Sequence, residues 1–230
     1  AVFRRDHRKV YRAILRQVKK PFCYGSRPML YVLFFMSGFA ALLYQIVWQR
    51  TLFAIYGINI ESVTMVVTAF MLGLGLGGLA GGAISRDPKR PTVLIFSLVE
   101  LSIGTFGAFS LPILHGVGAL TLQMPPAAIG VVTFLMVLVP TMLMGGTLPL
   151  LVAHFSRINK NVGESVGGLY NANTLGSALA SVLAVVFLMK NFGQTNTVRF
   201  AAALNLTASL VAYLLYRRSL QPSAVPQTAS

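Results

Sequence analysis

Six uninterrupted apolar stretches, at residues 29–56, 60–84, 92–114, 127–152, 166–188 and 198–216, constrain this chain more than any motif in it. Each suffices to cross a hydrocarbon core of about 30 Å at about 1.5 Å per helical residue. In lipid every backbone N–H and C=O must find its partner inside the protein, so these segments are expected as helices. Composition closes off the soluble alternative: 55% of the 230 residues are hydrophobic and 10% charged, too few charges to cover a water-facing surface. The connections are short, and several carry Gly, Pro or Asn, which predicts antiparallel neighbours with no soluble domain between them. The expected fold is all-α and membrane-embedded, with six transmembrane helices over 29–216, a basic arm over 1–28 and a polar tail over 217–230. The first stretch is too long for the apolar region of a cleaved signal and is expected to remain.

Lys and Arg set the predicted orientation, because cytoplasmic loops carry the excess of positive charge. Nine precede Met29, three lie at Arg86, Lys89 and Arg90, two at Arg157 and Lys160, and two at Arg217 and Arg218. Arg50, Lys190 and Arg199 are left for the opposite side. An even number of crossings puts both termini on one face, and the charge distribution makes that face the cytoplasm. An integral protein of a bacterial inner membrane is the expectation.

The arm reads as an amphipathic helix on the inner leaflet, with Val10, Tyr11, Ile14, Leu15 and Val18 at helical spacing and basic residues around them, ending at Pro21. Its charges suit anionic lipid, at about 1 kcal/mol each. Nucleic acid and an organelle transit sequence are the weaker readings of the same residues. The bilayer is therefore the expected partner, with no nucleic acid.

Residues 73–78 (GLGLGG) satisfy the dinucleotide-binding pattern G-x-G-x-x-G. That fingerprint requires a strand, a tight turn and then a helix, whereas these glycines lie inside an apolar span. On a helix Gly73, Gly77 and Gly81 recur every fourth residue, as do Gly78 and Gly82, and small residues so placed let another helix approach closely. His7, His115 and His154 fall in separate layers, and Cys23 stands alone. No metal site, cofactor site or catalytic nucleophile is expected.

Glu100 lies about 12 Å into the third span from its cytoplasmic end, where it must face a bundle interior or a cavity. The same depth arithmetic brings Thr147, Asn171, Asn173 and Thr174 to about 8–13 Å from that face. Together they form a candidate polar intramembrane layer, either interhelical hydrogen bonding or a substrate or ion site. Gln45, Trp48, Gln49 and Arg50 belong to the outer end of the first span, where Trp48 can anchor the interface and Arg50 can reach the headgroups. Pro140 and Pro149 are expected to kink or loosen the fourth span. The small-residue fifth span is expected inside the bundle.

Several motifs, taken in order, resemble the membrane portion of the fused major-facilitator/spermidine-synthase-like proteins. They are residues 34–50 (FFMSGFAALLYQIVWQR), the Gly-rich second span, 99–104 (VELSIG), 140–149 (PTMLMGGTLP) and 168–176 (GLYNANTLG). The resemblance implies a six-helix unit like half of a major-facilitator transporter, with 86–90 (RDPKR) as its charged cytoplasmic loop. Longer members of that family continue into a Rossmann-like aminopropyltransferase domain. Neither its glycine loop on a strand nor its paired acids occurs in these 230 residues, so the resemblance implies the membrane fold and not the activity.

The function expected is that of a noncatalytic membrane subunit, not an enzyme, that packs against partner membrane proteins or a second copy and anchors or stabilises a larger assembly. A half-size, dimeric transporter of a small solute is one alternative, and a membrane anchor for a separate aminopropyltransferase-like enzyme is another.

Overall fold

The computed structural model describes residues 27–57, 60–121, 123–159 and 162–220. Among them the regular structure is entirely helical. Helix α1 spans Arg27–Tyr56, α2 Ile60–Ser85, α3 Thr92–Thr121, α4 Pro126–Asn159 and α5 Val162–Leu183; α5 passes through one π-helical turn, Ala184–Leu188, into α6, Met189–Leu220. The expected amphipathic helix of the arm, with His7 and Cys23, lies outside the described residues, as does the tail from residue 221.

Among the described residues, five helical runs are long and apolar enough to cross a membrane, the last being Val162–Leu220 with 59 residues. The six separate spans expected from the sequence therefore differ from the structure at one junction. Between the fifth and sixth stretches the helical hydrogen bonding continues through the π turn, and the interruption is a single residue, Gly193, at φ 72° and ψ 177°. Glycine alone takes that conformation without strain. The bends in the backbone on either side are tied down locally: Asn191 Nδ2 donates to Phe187 O at 2.7 Å and Thr197 Oγ1 to Gly193 O at 2.7 Å. Helix α1 instead ends at Gly57, whose positive φ of 89° lets its N–H close on Phe53 O at 3.0 Å.

Packing registers follow from residue pairs. Ser37 meets Glu100 and Trp48 meets Ser110, so α1 and α3 run parallel. A Cβ on Gly38 would strike Asn173 and one on Gly176 would strike Phe35, while Ser177 Oγ donates to Gly38 O at 3.0 Å, which seats α5 against α1. Ser97 pairs with Ser209 and Glu100 with Asn205, so α6 runs antiparallel to α3. Two buried clusters result. One centres on Leu43, Tyr44, Val47 and Trp48, the other on Leu33, Phe34, Phe96 and Phe155.

The closest crossing joins α2 and α4, which run parallel. A Cβ on Gly73 would strike the Thr141 side chain, one on Gly77 the Met142 backbone, and one on Gly81 the Gly146 backbone. From the other side, a Cβ on Gly145 would strike the Leu74 backbone. Gly78 lies 3.9 Å from Gly145 O by the same construction, and Gly82 faces nothing within 4 Å. Small residues so placed let the two backbones come into direct van der Waals contact along the whole crossing. Pro140 and Pro149 do not interrupt α4. Beside the N–H that Pro140 lacks, Thr141 Oγ1 donates to Val137 O at 2.9 Å and Leu138 O at 2.8 Å.

Helix α5 departs from its expected place inside the bundle. Its buried residues are Ser165, Leu169, Gly176 and Ala180, one face seated against α1. Tyr170, Leu175, Leu179 and Val182 on its other faces are exposed. Small residues permit close contact on one side and give no reason for contact on all sides.

Candidate functional site

The site is built on one face of α3. Residues 97, 100, 104 and 107 recur at three- and four-residue spacing and so share a side of the helix. Glycine at 104 admits α6, since a Cβ there would press on Leu206 and lie 3.2 Å from Ala202 O. Glycine at 107 admits α1, since a Cβ there would strike the Tyr44 ring and hydroxyl. Between these approaches sits Glu100, 0% exposed. Ser37 Oγ of α1 donates to its Oε1 at 2.6 Å, and Asn205 Nδ2 of α6 donates to its Oε2 at 2.6 Å.

Polar contacts continue along the same seam. One turn toward the N-terminus of α3, Ser97 Oγ donates to Ser209 O at 2.8 Å and Ser209 Oγ donates to Ser97 O at 2.7 Å. Further along, Trp48 Nε1 donates to Ser110 Oγ at 2.9 Å, and that hydroxyl donates to Gly107 O at 2.8 Å. Tyr44 stacks on Trp48 with ring centroids 5.0 Å apart, and Phe106 meets Trp48 edge-on at 5.5 Å. Among the described residues four buried side-chain atoms have no hydrogen-bond partner, and two of them, Tyr44 Oη and Asn205 Oδ1, lie on this seam.

A carboxyl group engaged at both oxygens from two other helices is suited to clamping α1, α3 and α6 together. No cationic side chain stands among its hydrogen-bond partners. Among the described residues, no three His, Cys, Asp or Glu side chains form a group that could hold a metal.

The candidate layer drawn from the sequence is dispersed in space. Thr147 is buried but donates to its own helix at Met144 O, 2.7 Å away. Asn173 is half-buried over Gly38, while Asn171 and Thr174 are exposed on α5. None of these four is a hydrogen-bond partner of Glu100. At the other end of α1, Trp48 is not an interfacial anchor: it is 1% exposed, because Tyr44, Phe70 and Phe106 surround its ring and Ser110 accepts its N–H. Gln45 and Gln49 are half-buried. Arg50 is exposed with Nη1 3.8 Å from Met189 Sδ.

Sequence reasoning missed Ser37 and Asn205. The depth arithmetic used for the fourth and fifth spans places Ser37 about 12 Å and Asn205 about 16 Å from the same face, level with Glu100. That signal was present in the first and sixth spans.

Among curated proteins, the chain is 23% identical over 167 residues to a polyamine aminopropyltransferase of Oceanobacillus iheyensis. The match covers 73% of this chain and 31% of that protein, so the chain spans about a third of the length of the relative it matches. The likeness fits a distant spermidine-synthase-like relationship and points toward an enzyme family. No family model matches, and no solved structure matches.

Proposed function

We propose that this chain is a noncatalytic membrane unit that crosses the bilayer six times and packs against a partner membrane protein, anchoring or stabilising a larger assembly. The outward placement of Asn171 and Thr174 carries this reading. They lie about 8 and 12 Å in from the start of the fifth apolar stretch at residue 166, inside a hydrocarbon core. An amide facing acyl chains at that depth is costly unless another protein supplies its partner.

Six crossings are supported by the registers. Helices α1 and α3 are parallel, α6 is antiparallel to α3, and the run from Val162 to Leu220 breaks at Gly193. A straight 59-residue helix would be about 88 Å long, nearly three times a hydrocarbon core. In this arrangement the chain turns back at Gly193, and the start of α1 and the end of α6 share one face, which the charge distribution makes cytoplasmic in a bacterial inner membrane.

Glu100 supports the assembly reading over the transport one, since both its oxygens are already engaged between helices and the residue is fully buried. A second reading, that of a membrane anchor for an aminopropyltransferase-like catalytic part, is favoured by the name of the relative from Oceanobacillus iheyensis. It is a particular case of the first, with the partner on the cytoplasmic side.

A photo-crosslinking amino acid at Asn171, introduced in cells, tests the proposal. Crosslinks from position 171 to a protein, with crosslinks from the exposed Leu98 on α3 restricted to lipid, are the expected result. Crosslinks from both positions to lipid alone overturn it.

A further inference from the structure

A cavity of about 210 Å³ opens where α1 and α3 begin and α4 and α6 end. Arg90, His154 and Arg157 line it, with the hydroxyl-bearing Thr92, Tyr216 and Ser219. The guanidinium of Arg157 is fixed in place: Nη1 donates to Arg90 O at 3.1 Å, and Nη2 donates to Ser85 O at 2.8 Å and Asp87 O at 2.9 Å. These bonds leave its Nε hydrogen and one Nη1 hydrogen uncommitted. Arg90 is held only loosely, 3.8 Å from Asp87 at half exposure.

The backbone adds to this positive character. The first hydrogen bond of α3 runs from Ile95 N–H to Pro91 O at 3.0 Å. Thr92 and Val93, both on the cavity wall, therefore bring N–H groups that have no acceptor within the helix. The positive end of the α3 dipole lies at the same place. The remaining wall is apolar, with Leu30 of α1 and Leu215 of α6.

We infer that this cavity binds a phosphate group. A fixed guanidinium, a loosely paired one, the hydroxyls of Thr92 and Tyr216 and a helix start converge on one volume, while the Ser219 hydroxyl is spent on Tyr216 O at 2.6 Å; this is the donor set a tetrahedral anion requires. Leu30 and Leu215 suit the glycerol and first methylenes of a phospholipid, and four helix ends place the cavity at headgroup level in the six-crossing arrangement. A soluble phosphate offers the same anion without the chain.

The test uses the full chain, purified in mild detergent and stripped of lipid, with thermal unfolding as the readout. Phosphatidylglycerol, phosphatidylcholine with matched acyl chains, and inorganic phosphate are titrated separately. Arg90→Gln and the cavity-filling Ser219→Phe, both at exposed positions, are titrated in parallel. The nine basic residues before Met29 also attract anionic lipid, so the deciding quantity is the difference between the parent chain and the two variants.

The expected result is stabilisation by phosphatidylglycerol at a concentration at least tenfold below that needed for phosphatidylcholine, and a tenfold or greater loss of that response in both variants. Protection by inorganic phosphate that the variants also lose supports the same pocket and identifies a soluble source. Equal responses to the two lipids, or variants that respond like the parent to every additive, overturn the inference.

Discussion

One carboxyl group joins three helices, and the orphaned Oδ1 of Asn205 decides how its replacement behaves. In Glu100→Gln the new amide must place an NH₂ against Ser37 or Asn205. Asn205 can rotate its side-chain amide to offer Oδ1, which is otherwise without a partner. Thermal unfolding in detergent is therefore expected to differ little between Glu100→Gln and the parent. Glu100→Leu, by contrast, strands both donors in the interior, at about 1–3 kcal/mol for each orphaned group. Ser37→Ala and Asn205→Ala are each expected to cost about 0.6–1.7 kcal/mol, with non-additive coupling in the double variant, since both act through one acceptor. Additive effects would mean that the bonds at Oε1 and Oε2 act independently and that the carboxyl group does not couple the two helices. The sequence made Glu100 legible because an acid in an apolar span has few tolerable environments. It did not make the partners legible, because depth along a helix says nothing about rotation around it. Trp48 illustrates the same gap: its height along α1 suited an interface, while its rotation turned it to Ser110 in the core.

Among the elements, α2 and α4 show what small residues accomplish. Gly77→Leu places a side chain against the Met142 backbone, which cannot yield as a flexible side chain does. It is expected to abolish the folded, monodisperse peak in size-exclusion chromatography or to lower thermal stability by more than about 3 kcal/mol. Gly82→Ala, on open space in the same helix, is expected to leave both measurements unchanged and to gain slightly in helix propensity. A similar loss from both changes would mean that α2 does not pack by this face. The four-residue spacing of these glycines was readable in advance because it repeats along one side of the helix. In α5 the small residues are spread around the whole helix, and the sequence gives no sign that only the side bearing Gly176 meets α1. The break between α5 and α6 was readable too, since residues 189–197 (MKNFGQTNT) are polar; what composition could not show is that helical hydrogen bonding runs on through the π turn as far as Gly193.

At the scale of the whole molecule, the proposed six crossings predict where reagents can reach. Single cysteines at Arg86 and Arg217 in a chain with Cys23 replaced by Ser are expected to react with a membrane-impermeant maleimide only after the inner face is opened. A cysteine at Gln194, near the break, is expected to react in intact cells. Opposite labelling of Arg86 and Arg217 would place the ends of α2 and α6 on different faces and remove the six-crossing arrangement. The all-helical architecture was legible because apolar length is a property of whole segments, insensitive to the rotation that obscured individual contacts. The break at Gly193 also bears on how such a protein meets its surroundings. In the proposed six-crossing arrangement, reversing direction within helical hydrogen bonding would leave no slack between the last two rods, so an external protease would have little to grip there and an epitope inserted at that point would force the pair apart.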